Sequence, residues 1–567
     1  MNRNSQGFFS ENPSVKIGRS RWKTQFGTKT SMNSADLVPI CEPIEILPGD
    51  TLKMKTNFLL RMPTLINPVF GDMYVDTYWF FVPNRLTWSH WKNLMGENTE
   101  SAWIPETEYE VPMVSAPAEG WNVNSIANYF GIPIGQHGLE VSALPFRAYA
   151  LIVDQFFRSQ AVQDPVNVPV DDVYTIGSNG DNYITDLVKG GMPFKANKYF
   201  DLFTSCLPSP QKGPQVVINN LAAADGTAPV YGNGYALSLS GLNANDVPVD
   251  GGLTTQWMQL SPFGTPVFKK SPSLSASIYN PGSMGVTPGE RLGNRKDYSG
   301  LVAEVSSTPG AEISVNALRY AFQLQKLYEK DARGGTRYRE TILSHFNVVN
   351  PDARMMIPEY LGGLHQRINV QQVIQSSGTT EASPQGNTAA YSLTGGSNYD
   401  FTKSFTEHGL LIGLACIRYN HTYSQGLNKF WTKRDRFDFY WPVLSSISEQ
   451  PVYTDEIYYV PKEDPSLKSD VFGYNEAWYD YRYRPSIATG YMNPNAPLGL
   501  QSWSLTDKYN LPPTLSSEWL QEDKTNIDRV IAVSSSNTHQ FFGDFLFEAD
   551  FVRPMPLHSI PGLIDHH

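Results

Sequence analysis

Strand-like alternation recurs near both ends of this chain, and that recurrence constrains the fold more than any other feature. In residues 544–551, Phe545, Phe547, Ala549 and Phe551 alternate with Asp544, Glu548 and Asp550, Leu546 being the one departure. Successive side chains of a strand point to opposite faces, so this period of two marks a half-exposed strand. Residues 43–62 read as two short strands joined at the Pro48-Gly49 turn, with Lys53 and Lys55 alternating with Leu52, Met54 and Thr56. Residues 73–82 place Val75, Thr77, Trp79 and Phe81 on one face and Tyr74, Asp76, Tyr78 and Phe80 on the other, stopped by Pro83-Asn84. Large apolar groups on both faces predict a strand covered on both sides. Residues 409–417 repeat that pattern, with Leu410, Ile412, Leu414 and Cys416 opposite Leu411, Gly413, Ala415 and Ile417. Strands hundreds of residues apart must then share one sheet system, as in Greek-key and jelly-roll sandwiches.

Composition agrees with an all-β body. Charged residues are 17% of the chain against roughly 25% in an average globular protein. Aromatics reach 13%, and 44 Gly with 41 Pro break the chain into short elements. Enough apolar surface exists for a core, which excludes wholesale disorder, and the scarcity of charge argues against a coiled coil or long bundle. One helix is expected over 314–331, capped by Ser314, with Val315, Leu318, Phe322 and Tyr328 along one stripe and Gly334-Gly335 as its stop. In residues 202–289 only Lys212, Asp225, Asp246, Asp250, Lys269 and Lys270 are charged, which predicts a small β-rich insertion. Residues 375–400, with only Glu381 and Asp400 charged, are expected to form a shorter polar loop.

Cys41, Cys206 and Cys416 are few, odd in number and far apart, so they imply neither a disulfide framework nor a metal site. The start lacks a signal-peptide pattern, and the longest strongly apolar run, 409–417, is about half of the roughly 20 residues a membrane helix needs. A protein folded in a reducing cytosol, without membrane insertion, is the expectation.

Net charge is −11, but its distribution is uneven. Residues 1–35 hold Arg3, Lys16, Arg19, Arg21, Lys23 and Lys29 against Glu11, giving +5 and leaving −16 to the rest. Such an arm can neutralise phosphates without sequence preference. The alternative is a frayed terminus whose charges only keep it soluble.

Templates for catalysis fail. There is no G-x-S-x-G elbow, no phosphate-binding loop, no H-E-x-x-H and no dinucleotide fingerprint after a strand. Ten dispersed histidines select no site. Asp171, Asp172, Asp181, Asn182 and Asp186 could offer oxygen ligands to calcium, yet their spacing fits no calcium-loop template and plain turns are favoured. A glycosidase carboxylate pair need not be close in sequence, and nothing selects one. No catalytic residue, metal ligand or cofactor is assigned. Arg333, Arg337 and Arg339 read as a solvated face or a subunit contact.

Several blocks then resemble one family. They are Phe203-Thr-Ser-Cys-Leu-Pro-Ser-Pro-Gln-Lys-Gly-Pro214, Tyr328-Glu-Lys-Asp-Ala-Arg-Gly-Gly-Thr-Arg-Tyr338, Pro351-Asp-Ala-Arg354 with Pro358-Glu-Tyr-Leu-Gly-Gly363, Gln371-Gln-Val-Ile-Gln-Ser-Ser377 with Pro384-Gln-Gly-Asn387, and Tyr474 through Pro485. The tail Pro561-Gly-Leu-Ile-Asp-His566 is similar too. Together they resemble the major capsid proteins of the small single-stranded DNA phages, the Microviridae, and specifically the gokushovirus branch. Residues 215–310 match poorly.

The resemblance implies a single eight-stranded jelly roll with long inserted loops, a few helices and a large variable insertion. Its parts would be a basic arm (1–35), the jelly roll's first part (36–214), the insertion (215–310) and the second part (311–567). It implies a T=1 icosahedral shell of about sixty copies around circular single-stranded DNA, made in the bacterial host cytoplasm and residing in the virion. Expected partners are other copies, packaged DNA, a small basic packaging protein, a pilot protein and a host receptor. DNA would meet Arg3, Phe8, Phe9, Lys16, Arg19, Arg21, Trp22 and Lys23, with Phe26 beside them, through phosphate contacts and stacking. A protrusion built by the insertion would present Tyr231, Tyr235, Trp257 and Phe263 to the host. Two rivals stay open on composition alone: a β-sandwich carbohydrate-active enzyme or lectin, and a trimeric attachment protein.

Overall fold

The alternating segments become long antiparallel strands in the computed structural model, which describes residues 18–99, 101–102, 107–214, 216, 230–232, 236–237, 257–260, 266–269, 301–303, 315–381, 384–462, 469–497, 499–533 and 535–558. The chain divides into two compact units, Met1–Pro214 with Leu327–His567, and Gln215–Lys326.

A β-sandwich dominates the first unit. Its strands, in chain order, are β1 (Ser20–Met32), β2 (Val38–Pro39), β3 (Ile44–Ile46), β4 (Thr51–Arg61), β5 (Met73–Pro83), β6 (Glu359–Arg367), β7 (Val370–Ile374), β8 (Thr388–Ser404), β9 (Gly409–Tyr419) and β10 (Phe541–Arg553). One sheet runs β1-β10-β4-β8-β7; the other runs β6-β5-β9-β2, with β3 also on β9. Every pairing in these sheets is antiparallel. Partners are remote in sequence: Phe26 lies opposite Phe547, and Trp79 opposite Gly413.

Between the sheets, Val75, Trp79, Phe81, Leu411 and Ile417 meet Leu52, Met54, Phe58, Phe545, Phe547 and Phe551 in one buried cluster. The Trp79 and Phe547 rings stand edge-to-face, centroids 5.5 Å apart. Trp79 Nε1 donates across the sandwich to Thr56 Oγ1 at 3.2 Å, so the indole is buried with its polar atom satisfied. The opposite faces of β5 and β9 are also covered. Phe80, Val82, Ile412, Leu414 and Cys416 pack against helix α1 (Leu144–Ile152), chiefly Phe146, Tyr149 and Ile152, with Trp121 beside them. That second layer explains the apolar residues on both faces of these strands; each fully buried side chain of this size contributes about 1.5–3 kcal/mol. A third cluster gathers Leu202, Phe203, Cys206, Tyr423, Val452, Phe472 and Tyr479.

Two expectations need correction. Residues 388–400 are not a loop but most of β8. The strand buries small side chains, Ala390, Ser392 and Thr394, under exposed Tyr391 and Leu393. Ser392 Oγ donates to Asn369 O at 2.8 Å and Thr394 Oγ1 accepts from Asn369 N–H at 2.9 Å, which offsets the cost of burying these hydroxyls. Within 1–35, Ser20–Met32 is an edge strand of the sandwich. The expected helix is α2 (Val315–Gly334), followed by Gly335 at φ +91°, a left-handed stop that favours glycine; Ser314 lies outside the described residues.

In the second unit, Trp257–Leu260 pairs antiparallel with Ala236–Leu237 and Pro266–Lys269, and Val230–Gly232 with Leu301–Ala303. Among the described residues, no helix is long and apolar enough to cross a membrane.

Candidate functional surface

Strand alternation turns the outer face of the first sheet into stripes of charge. β1 presents Arg21, Lys23 and Lys29; its neighbour β10 presents Asp544, Glu548 and Asp550; beyond it, β4 presents Lys53, Lys55 and Arg61. Arg21 Nε donates to Asp550 Oδ1 at 2.7 Å, Lys55 Nζ to Glu548 Oε1 at 3.0 Å, and Lys29 lies 4.0 Å from Asp544. Asn57 Nδ2 also donates to Glu548, at 2.9 Å. The Arg21 hydrogen bond holds the Asp550 carboxyl below its usual range, and those from Lys55 and Asn57 do the same for Glu548. Lys53 Nζ stands 4.6 Å over the Tyr399 ring. Six cations against three acids leave this face basic, though much of the β1 charge is already matched by β10.

Among the described residues, the predicted nucleic-acid residues of β1 fall on two faces. Arg3, Phe8, Phe9 and Lys16 lie outside the described residues. Arg19 is exposed just before β1, and Arg21 and Lys23 share the outer face. Trp22 and Phe26 point the other way: Phe26 packs 5.1 Å from Phe547, and Trp22 lines a groove with Ile44, Phe551 and Leu557. Alternation separates neighbours in sequence, so basic and aromatic groups interleaved along β1 end on opposite faces. Tyr231 and Trp257 sit on strands of the second unit, while Tyr235 and Phe263 lie outside the described residues.

The three arginines all find partners within the chain, although Arg333 stays partly exposed. Arg333 pairs with Glu449 and, at 3.2 Å, with Glu476. Arg337 pairs with Glu340 and donates to the carbonyls of Asp154 and Arg158. Arg339 donates to Gln155 O at 3.1 Å and lies 4.6 Å over the Phe156 ring. These contacts join residues 333–339 to the 154–158 turn and to 449–476.

Two ionic knots are buried. His421 Nδ1 lies 2.9 Å from Asp507 and Nε2 3.1 Å from Glu522. Burial opposes the imidazolium, but the two carboxylates outweigh it and push His421 up to about 10. Asp76 accepts from Arg418 Nη2 and Tyr199 Oη, both at 2.6 Å, and also contacts His365. Burial would raise the Asp76 carboxyl, but Arg418 and these hydrogen bonds hold it low. Arg418 lies 4.1 Å over the Tyr199 ring. Both knots are filled with partners from the chain itself, so they act as ties between segments.

All three thiols are buried and burial pushes them up, Cys41 to about 12, the reverse of what a nucleophilic cysteine needs. Asp172 accepts from Trp88 Nε1 and lies 2.9 Å from His90 Nδ1, while Asp186 accepts the Asn182 N–H at 3.3 Å. Among the described residues no group of three or more His, Cys, Asp or Glu could hold a metal ion. One surface was missed in the sequence. Residues 428–447 crowd aromatics between lysines and arginines, and many of those rings are exposed; their density was the available signal.

Comparison with known proteins covers the chain almost end to end. The family described as "Capsid protein (F protein)" matches residues 10–563. Capsid protein VP1 of Spiroplasma virus 4 is 39% identical over 564 residues, spanning 96% of each chain. Capsid protein VP1 of Chlamydia phage 1 is 36% identical, over 98% of this chain and 97% of its own. Capsid protein VP1 of Bdellovibrio phage phiMH2K is 36% identical, over 99% and 98%.

Proposed function

The chain belongs to the capsid protein (F protein) family, and from that membership we propose that it is the major structural subunit of a small single-stranded DNA phage of the gokushovirus type. The observation that carries this reading is identity of 36–39% to three phage capsid proteins over nearly the whole of each chain. The sandwich folds as an eight-stranded jelly roll; the eight strands of five or more residues in its two sheets support that count. Copies assemble into a T=1 icosahedral shell of about sixty subunits in the virion, around circular single-stranded DNA. The role is structural rather than catalytic.

The remaining parts follow from the same reading. Residues 215–310 form the surface protrusion that meets the host receptor. Residues 1–19 and the basic outer face around Arg21 and Lys23 contact DNA, together with a small basic packaging protein. Electron microscopy of the purified chain tests the whole: uniform icosahedral particles tens of nanometres across are expected, and a chain that stays monomeric while turning over glycans overturns it.

A further inference from the structure

Residues 428–447 form a surface loop whose frame is tightly held and many of whose outer side chains are exposed. Trp478 Nε1 donates to Leu444 O at 2.7 Å, and Trp441 Nε1 to Arg436 O at 2.9 Å. The Tyr440 N–H donates to the Tyr481 hydroxyl at 3.2 Å, and Phe430 N–H to Asn428 Oδ1 at 2.9 Å. Lys433 pairs with Asp480, both side chains only 6% exposed. On this fixed frame Phe430, Trp431 and Phe437 are 62%, 72% and 68% exposed, and Val443 is 92% exposed.

We propose that this loop is a contact surface which each copy buries against a neighbouring copy. The inference rests on the shell-subunit reading and names the surface that reading requires. Area supports it. Six aromatic rings about half exposed, together with Val443, present on the order of 700 Å², which approaches one partner's share of a standard interface and exceeds the largest patch typical of a monomer. A held frame also lowers the ordering cost of binding.

Chemistry selects protein over nucleic acid as the occupant. Base stacking uses rings and cations, but the most exposed side chain here is aliphatic Val443, with Ile447 also exposed. Charge fits a second copy. Lys429, Lys433, Arg434 and Arg436 against Asp435 and Asp438 give the loop +2, which leaves −13 to the remainder of a chain whose net charge is −11.

The test uses the full chain carrying Trp431→Ser, Phe437→Ser and Val443→Ser together, compared with wild type by electron microscopy and circular dichroism. A folded subunit whose particle yield falls by about tenfold or more is expected. Particles at wild-type yield overturn the inference, and so do full-sized particles that lack DNA, which would assign the surface to nucleic acid. If the triple variant does not fold, Val443→Asp decides, because that side chain stands clear of the fold: lost particles support the inference and wild-type yield overturns it. A wild-type chain that never forms particles overturns the shell reading itself, an outcome distinct from a variant-only failure.

Discussion

The imidazole Nδ1 of His421 lies 2.9 Å from the carboxylate of Asp507, 86 residues further along the chain, with both side chains almost fully buried. Glu522 closes the other side of the ring, and Asn526 Nδ2 donates to Asp507 at 2.7 Å. One buried cation therefore ties the residues after β9 to two later segments.

Removing that cation leaves two buried carboxylates without the charge they share, although Asp507 keeps its hydrogen bonds from Asn526 and Tyr509. His421→Ala is expected to destabilise the subunit by about 3–5 kcal/mol, the cost of breaking a buried ion pair from one side. Thermal unfolding of the purified subunit checks this. An unchanged melting temperature would show that the knot is not held together by charge.

The same group sets a pH dependence. His421 is raised from 6.5 to about 10 in the folded chain, so its contribution is fully present below about pH 6.5 and is lost as pH rises towards 10. Melting temperature should fall across that window in the wild type. In His421→Gln, starting from a lower value, the fall should be much shallower; parallel curves for the two proteins would assign the alkaline loss to another group.

Packing in the sandwich predicts an asymmetry between two glycines. A Cβ at Gly413 would lie 2.9 Å from two ring carbons of Trp79 and 3.1 Å from Ile40, whereas at Gly395 its nearest neighbours are 3.8 Å away. Gly413→Val should cost about 1–3 kcal/mol or more through overpacking. Gly395→Ala should be neutral or slightly stabilising, because it lowers the entropy of the unfolded chain. Equal melting temperatures for the two variants would refute the close approach of β9 to Trp79.

Nucleic-acid binding, if made by the basic face, is separable from packing along β1. Arg21→Ala with Lys23→Ala should reduce the slope of log affinity for single-stranded DNA against log salt by about two, one for each phosphate no longer neutralised. Trp22→Ala should leave that slope unchanged, since Trp22 lies on the other face. The pair between Arg21 and Asp550 is exposed, so its removal should leave stability nearly unaltered.

Much of the sandwich was legible as local period. Alternation in 73–82, 409–417 and 544–551 correctly marked β5, β9 and β10 and showed which of them are covered on both faces. β8 was missed because its buried face carries Ala, Ser and Thr, whose hydroxyls look like loop chemistry until Asn369 is seen to bond them. Trp22 faces away from Arg21 and Lys23 for a related reason: adjacency in sequence is opposition on a strand.

Sequence alone determined the strand character, the basic start, the low charge of 202–289 and, through its family blocks, membership among phage capsid proteins. Tertiary structure alone decided where the charges go. It set Arg21 beside Asp550 across 529 residues, gave Arg333, Arg337 and Arg339 partners within the chain, enclosed His421 between two carboxylates and left many of the 428–447 aromatics exposed. Periodicity is a property of neighbouring residues and survives in the one-dimensional string. Coulombic pairing and burial depend on separations in space, and those exist only once remote strands have found their register.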